Sequence, residues 1–86
     1  MGTELVHVGF GNYIALDRVV AMVTPGSAPI QRLVRDGKKK GVIKDITQGR
    51  RTKGIVFMDD GSIVLCAITP EAIAGRARSR SLGEAE

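Results

Sequence analysis

Short apolar runs, each broken by glycine, asparagine or aspartate, make up much of the chain. Runs rich in valine and isoleucine are typical of β-strands, and here they lie at residues 5–8, 13–16, 19–23, 42–46, 54–58 and 62–68. The last two are joined by Asp59-Asp60-Gly61, a strong hairpin signal because Asp-Gly readily takes positive φ. Asp17-Arg18 predicts a bulge or a bend between the second and third runs.

Two segments carry helical signals instead. Residues 27–41 begin with a capping serine, continue with apolar residues at the i, i+3, i+4 spacing of one buried face, and end in glycine. Residues 69–71 are threonine, proline and glutamate, the order typical of a first helical turn. We therefore predict an α+β domain over residues 1–75, with a small, mostly antiparallel sheet, one central helix and a short C-terminal helix. Residues 76–86 are predicted to be a flexible basic and polar tail.

With 86 residues, the chain has a core that is only marginally stable by itself. Small domains often gain the missing stability from disulfides, a metal or a partner subunit. Cys66 is the only cysteine and His7 the only histidine, which excludes a disulfide and leaves too few ligands for a zinc site. Cys66 is interpreted as a small buried hydrophobe. Oligomerisation remains, and we expect neither a metal nor a cofactor.

Positive charge is concentrated in one segment. Residues 32–53 hold nine basic and two acidic residues, a local charge of +7 (9 − 2), whereas the other four basic and seven acidic residues sum to −3. A surface without a partner usually mixes the two signs. A one-signed segment of this density therefore indicates a polyanionic partner, either nucleic acid or an anionic membrane surface.

Within this segment, the strongest candidate contact is Gly49-Arg50-Arg51-Thr52-Lys53. Arginine presents a planar fork that suits phosphate oxygens, although an ordinary charged hairpin would have the same composition. If the segment is extended, Arg51 and Lys53 point one way while Arg50 and Thr52 point the other. Arg32 and Arg35 share one face of the first helix, whose N-terminus itself favours anions.

Aromatic residues are scarce, since Phe10, Tyr13 and Phe57 are the only ones. Single-stranded nucleic acids are usually held by stacking bases on aromatic side chains. Double-stranded DNA, held through its phosphates, is therefore the favoured partner. A membrane surface is disfavoured because the sheet needs the apolar face of the first helix for its core, and because no apolar run approaches the ~20 residues that span a bilayer. The sequence also lacks a secretory signal, so we expect a cytoplasmic protein.

Enzymatic chemistry finds little support in the sequence. No serine, cysteine or histidine lies in a recognisable nucleophile–base motif. Gly9-Phe10-Gly11 lacks the third glycine and the following helix of a dinucleotide fingerprint, so it is interpreted as a turn between strands. We expect no enzyme activity and no small-molecule substrate.

Several blocks of the chain resemble successive segments of the RemA-like extracellular-matrix regulatory family of bacteria. The match covers residues 5 to about 73, and the SAPI-x-R and GRRT blocks in this order and spacing are specific. The blocks are Val8-Gly9-Phe10-Gly11-Asn12, Asp17-Arg18-Val19-Val20-Ala21, Thr24-Pro25-Gly26-Ser27-Ala28-Pro29-Ile30-Gln31-Arg32, Asp45-Ile46-Thr47-Gln48-Gly49-Arg50-Arg51-Thr52 and Val64-Leu65-Cys66-Ala67-Ile68-Thr69-Pro70-Glu71.

The resemblance implies a cytoplasmic, nucleoid-associated regulator that binds double-stranded DNA and controls biofilm-matrix and osmoprotection genes. It also implies a ring-shaped homo-oligomer that presents basic residues to DNA and bends it. Carried over by position, Arg50 and Arg51 would be the main DNA contacts, Pro29 and Arg32 would shape or extend that surface, and Arg18 would lie at an adjoining strand or subunit interface. The full expected DNA-binding set is Arg50, Arg51, Arg32, Lys53, Pro29, Arg18 and Arg35.

Three features depart from the family pattern: Asp17 beside the arginine, the lysine-rich residues 37–40, and the longer tail. Either Arg50 or Arg51 could contact a neighbouring subunit instead of phosphate. Two alternatives from other classes stay open. One is an RNA-binding oligomer that acts after transcription, and the other is a structural assembly module whose charge is incidental.

Overall fold

The α+β class predicted from the sequence is confirmed by the computed structural model, which describes the backbone of residues 4–85 and the side chains of residues 4–77. Two helices and two small sheets follow one another along the chain. The elements are β1 (Leu5–His7), β2 (Tyr13–Ala15), β3 (Val19–Val23), α1 (Ala28–Lys40), β4 (Ile43–Asp45), β5 (Gly54–Met58), β6 (Ile63–Cys66) and α2 (Pro70–Ala85).

The strands form a four-stranded sheet in the order β3-β5-β6-β4 and a separate β1-β2 hairpin. Within the larger sheet, β3–β5 and β5–β6 are antiparallel, whereas β4 runs parallel to β6. At residues 17–18 the chain forms a short 3-10 turn rather than a bulge (Leu16–Arg18), and the irregular pairing lies just beyond it, between Val19 and Ala21.

Both faces of the four-stranded sheet are covered, because successive residues of β5 and β6 point to opposite sides. On one face, Val56, Val64 and Cys66 pack with residues of the β1-β2 hairpin and with Ile73 of α2. On the other, Ile55 and Leu65 pack with residues of α1. The domain therefore has three layers, with α1 and the β1-β2 hairpin on opposite sides of the sheet. Cys66 is fully buried, and its burial raises the pKa of its thiol to about 11.

Helix α1 has the ends that the sequence predicted. The hydroxyl oxygen of Ser27 accepts a hydrogen bond from the Ile30 amide at 3.3 Å, and Gly41 follows the last turn in the left-handed conformation, with φ 74°. Gly37 in mid-helix has a packing role. A β-carbon there would lie 2.9 Å from the Cδ1 atoms of both Ile43 and Ile63, so glycine lets α1 approach the sheet closely.

Helix α2 is longer than the short C-terminal helix predicted from the sequence. Its backbone continues through Ala85, so most of the predicted tail over residues 76–86 is helical, while Glu86 lies outside the described residues. The helix is fixed to the β1-β2 hairpin by buried Ile73 and by the Arg76 guanidinium, which donates to the His7 carbonyl oxygen at 2.7 Å.

Candidate nucleic-acid interface

Three of the predicted basic residues meet in a single surface depression, which we call the arginine cleft. It encloses about 480 Å³ and is lined by Gly9, Phe10, Arg50, Arg51, Lys53, Ala67 and Ile68. No acidic side chain lines it, and in the described part of the chain none of its three cations forms an ion pair. Uncompensated positive charge in a concave surface attracts anions more strongly than the same charges on a flat, mixed surface.

The loop that carries the two arginines is anchored at both ends. At its start, the Asp45 carboxylate accepts hydrogen bonds from the amide of Thr47 at 3.0 Å and from its hydroxyl at 2.7 Å. The Thr47 carbonyl in turn accepts from the Arg50 amide at 3.0 Å. At its end, the Lys53 amide donates to the carbonyl of Cys66, a core residue of β6, at 2.8 Å. The backbone beneath the cations is therefore held in place.

A second tight turn forms the opposite wall of the cleft. Gly9, Phe10 and Gly11 all have positive φ, at 106°, 55° and 76°. For phenylalanine this conformation costs about 1–2 kcal/mol. The side-chain nitrogen of Asn12 (Nδ2) offsets part of that cost by donating to the backbone carbonyls of Gly9 at 3.0 Å and Phe10 at 3.3 Å. Phe10 stays 45% exposed as a residue, and the Arg50 guanidinium carbon lies 5.8 Å from the centroid of its ring, within cation–π range.

The grouping of side chains differs from the alternation expected for an extended segment. Arg50 shares the cleft with Arg51 and Lys53, and Thr52 alone faces the α1 side of the sheet. The reason is that β5 begins only at Gly54. Residues 50–53 precede the regular strand and are not bound by its two-residue period.

Within one chain, the predicted cations of α1 do not reach the arginine cleft. Pro29, Arg32 and Arg35 are exposed on α1, which covers the opposite face of the sheet from the β1-β2 hairpin. Arg35 lines a separate depression of about 330 Å³ together with Thr52 and Lys38. Thr52 is thus the point where the arginine loop borders the α1 surface.

Arg18 lies outside the cleft as well. Its guanidinium pairs with the Asp59 carboxylate at 3.2 Å, and its carbonyl accepts the Asp59 amide at 2.8 Å. With side-chain exposures of 66% and 44%, this ion pair contributes at most about 1 kcal/mol. Arg18 and Tyr13 line a depression of about 350 Å³ near the turn between β5 and β6, so in the single chain Arg18 is not part of the same surface as Arg50.

Phe10 lines the cleft although the sequence does not identify it as part of the site, and the same holds for Gly9, Ala67 and Ile68. The sequence predicts a turn at Gly9-Phe10-Gly11, and the turn is present, but the composition does not indicate that the Phe10 ring meets Arg50. A bulky residue between two glycines, followed by asparagine, is the signal that could have identified an exposed side chain at a left-handed turn.

Asp45 should make the arginine loop sensitive to acid. The hydrogen bonds from the hydroxyl and amide of Thr47 lower the pKa of the Asp45 carboxyl. A lowered folded-state pKa gives stability that is complete above the ordinary aspartate pKa of about 3.9 and is lost as pH falls through the lower value. We expect Asp45→Asn to be less stable than the wild type at neutral pH, with the difference narrowing below about pH 4. Urea unfolding at a series of pH values measures this, and a constant difference would show that Asp45 does not act through its charge.

Asp45→Asn also distinguishes the anchoring of the arginine loop from the effect of the net charge of the basic segment. Removing a negative charge beside a basic segment should by itself strengthen the binding of a polyanion. If the Asp45–Thr47 bonds position Arg50, the variant binds duplex DNA more weakly at neutral pH instead. Fluorescence anisotropy with labelled duplex gives the sign directly, and stronger binding would contradict the anchoring role.

Neither a metal-binding group of side chains nor a membrane-spanning helix is present among the residues described. No group of three histidine, cysteine, aspartate or glutamate residues is placed to hold a metal ion there. In the same part of the chain, neither helix combines the length and apolar character needed to cross a membrane.

Comparison with known proteins identifies the family. The family model described as RemA-like, extracellular matrix regulatory protein A-like, matches residues 5–77. A candidate regulatory protein of Dehalococcoides mccartyi is 51% identical over 76 residues, covering 88% of this chain and 79% of the relative. One from a Synechococcus species is 43% identical over 86 residues, covering 100% of this chain and 97% of the relative. One from Alkaliphilus oremlandii is 42% identical over 80 residues, covering 93% of this chain and 86% of the relative. The chain belongs to the RemA-like family of regulatory proteins.

Proposed function

We propose that the protein is a double-stranded DNA-binding transcriptional regulator that acts as a homo-oligomer in the bacterial cytoplasm. The observation that carries the proposal is the arginine cleft, where Arg50, Arg51 and Lys53 converge and, in the part of the chain that the structure describes, form no ion pair. Arginine forks bind phosphate oxygens in pairs, and the anchored loop holds them ready before DNA arrives. Arg32, Arg35, Pro29 and Arg18 would extend the surface when copies of the chain stand side by side.

Duplex DNA fits the cleft better than single-stranded RNA or a membrane. A protein that holds single strands uses a track of aromatic side chains for successive bases, whereas among the residues described Phe10 is the one aromatic side chain that lines the cleft. Binding in a membrane interface requires a broad apolar face, whereas Ile30 and Val34 of α1 pack against the sheet and leave Leu33 as the exposed large apolar side chain of this helix among the residues described. Contacts to phosphates, which recur along a duplex, need neither feature.

Self-association would supply the number of contacts that one chain lacks. One cleft offers three cations, whereas several clefts on a symmetric assembly act together through their high effective concentration. Leu5, Val20 and Leu33 are large apolar residues that remain exposed, and β3 and β4 are the edge strands of the sheet. Such surfaces favour contacts between copies. A ring is the arrangement implied by the family resemblance, and extracellular-matrix genes are the proposed targets from the family's description.

Competition between nucleic acids tests this function. The protein is bound to a labelled long DNA duplex and challenged with unlabelled duplex or with single-stranded RNA of matched length and base composition. We expect the duplex to compete at least about tenfold better, because its phosphates are twice as dense along the axis. A preference for the RNA would favour the post-transcriptional alternative. A purified oligomer that left duplex DNA unbound at low salt would favour the structural module.

A further inference from the structure

Phe10 combines three properties that an ordinary turn residue does not need. Its backbone is left-handed although it is not glycine, its ring is about half exposed, and that ring borders the guanidinium of Arg50. The exposure of a large apolar ring and the left-handed backbone of a non-glycine residue are each unfavourable in free energy. Strain of this kind persists where the surrounding structure fixes it, and it is concentrated at functional sites. Here it is fixed by the Asn12 side chain and by the hydrogen bond from the Val8 amide to the Asn12 carbonyl at 2.8 Å.

The surroundings of the ring are shaped for a close partner. The flanking residues Gly9 and Gly11 have no side chains, and apart from the adjoining residues nothing lies within 4 Å of where a β-carbon would stand at either. Phe10 thus carries the large side chain of this turn, and it is about half exposed beside Arg50. A partner that satisfies the whole cleft needs negative charge for the cations and a flat apolar surface for the ring.

We propose that Phe10 inserts the edge of its ring between two base pairs of the DNA duplex while Arg50 and Arg51 bind the flanking phosphates. This inference rests on the proposed function and names how the same site treats its DNA. Apolar side chains that enter a base step from the minor groove unstack it and kink the helix toward the major groove. The kink brings more of the backbone against the neighbouring cations.

Insertion gives the protein a source of sequence preference without hydrogen bonds to bases. Pyrimidine–purine steps, TA above all, unstack most easily, whereas A-tracts are stiff. Each subunit of an assembly would therefore place Phe10 at flexible steps, and target sites would be selected by where such steps recur. The preference depends on the shape and deformability of DNA, as expected for a cleft whose lining polar side chains are all cationic.

Fluorescence of 2-aminopurine reports the insertion, because this base brightens when it is unstacked. The probe replaces the adenine of the TA steps in a long duplex, and a second duplex carries it within an A-tract. We expect wild-type protein to raise the fluorescence of the TA duplex about twofold, with a smaller rise in the A-tract duplex. Phe10→Ala should remove the rise and weaken binding about tenfold, while the salt dependence set by Arg50, Arg51 and Lys53 stays the same.

Phe10→Leu separates insertion from support of Arg50. Leucine is also an effective wedge but offers no π face, so we expect it to keep most of the fluorescence rise. Tyr13→Ala, which removes an exposed ring outside the cleft, should keep the fluorescence rise, and circular dichroism checks that each variant is folded. Tight binding without any rise, or equal losses in the alanine and leucine variants, would overturn the insertion. Failure of the wild type to bind duplex DNA, or tighter binding to single-stranded RNA, would instead overturn the proposed function.

Discussion

Replacing both Arg50 and Arg51 by alanine should lower the affinity for duplex DNA by about 100-fold or more, because a hydrogen bond to a charged group contributes about 1.5–3 kcal/mol and two are lost. The fold should be unaffected, since both side chains are exposed and neither forms an ion pair in the described structure. Electrophoretic mobility shift at low salt measures the affinity. Light scattering measures whether the variant keeps the size of the wild-type assembly.

The matched control removes two charges elsewhere. Lys39→Ala with Lys40→Ala changes the net charge equally, but these lysines lie in the last turn of α1 and do not line the arginine cleft. We expect this pair to weaken binding far less. An equal loss in both double variants would mean that DNA responds to overall charge and not to the cleft. Collapse of the assembly in the arginine variant would place those arginines at a subunit interface.

Gly54→Ala should be the most destabilising of the single substitutions considered. Gly54 is the first residue of β5, and a β-carbon there would collide with the backbone carbonyl oxygen of Ile68. The carbonyl cannot move easily, because it immediately precedes Thr69, whose hydroxyl accepts from the Ala72 amide at 3.1 Å to cap α2. Overpacking of this kind costs about 1–3 kcal/mol. Urea unfolding of the purified variant measures the loss.

Gly75→Ala provides the opposite control. Gly75 lies within α2, a β-carbon there meets nothing within 4 Å beyond its own helix, and alanine is the better helix former by up to about 1 kcal/mol. The unfolding midpoint should therefore stay the same or rise. If Gly54→Ala were as stable as the wild type, the close contact between the start of β5 and the Ile68 carbonyl oxygen, just before α2, would be wrong. Because Ile68 also lines the cleft, the destabilised variant should bind DNA more weakly as well.

Local signals predicted the local structure well. Ser27 caps the start of α1 and Gly41 caps its end, as expected. Asp60-Gly61 forms the turn of the β5–β6 hairpin, where the Asp60 carboxylate accepts a hydrogen bond from the Ser62 amide at 2.9 Å. These features depend on hydrogen bonds between residues two to four apart. The sequence therefore contains most of the information that determines them.

Long-range pairing was not predictable in the same way. The parallel alignment of β4 with β6 and the separation of the β1-β2 hairpin depend on which strands meet across the whole chain, and strand patterns do not specify partners. The length of α2 was missed because residues 76–85 lack a clear apolar stripe, although arginine, alanine and glutamate are good helix formers.

The candidate site shows the same division. The density of charge in residues 50–53 marked the arginine loop, and the structure places three of its side chains in one cleft. The meeting of Phe10 with Arg50 depends on packing of the β1-β2 hairpin over the end of β5 and β6, so no local pattern revealed it. Arg18 and Arg32 do not line the cleft of the single chain, and their joining it through contacts between copies of the chain stays a prediction.

The salt dependence of duplex binding tests the central claim most directly. Each phosphate contact contributes about −0.9 to the slope of log K against log salt concentration. The three cations of one engaged arginine cleft should thus give a slope of roughly −2.7 or steeper, and Arg50→Ala with Arg51→Ala should make it shallower by roughly 1.8 per engaged cleft. A wild-type slope near zero, or an unchanged slope in the double variant, would contradict DNA binding by the arginine cleft.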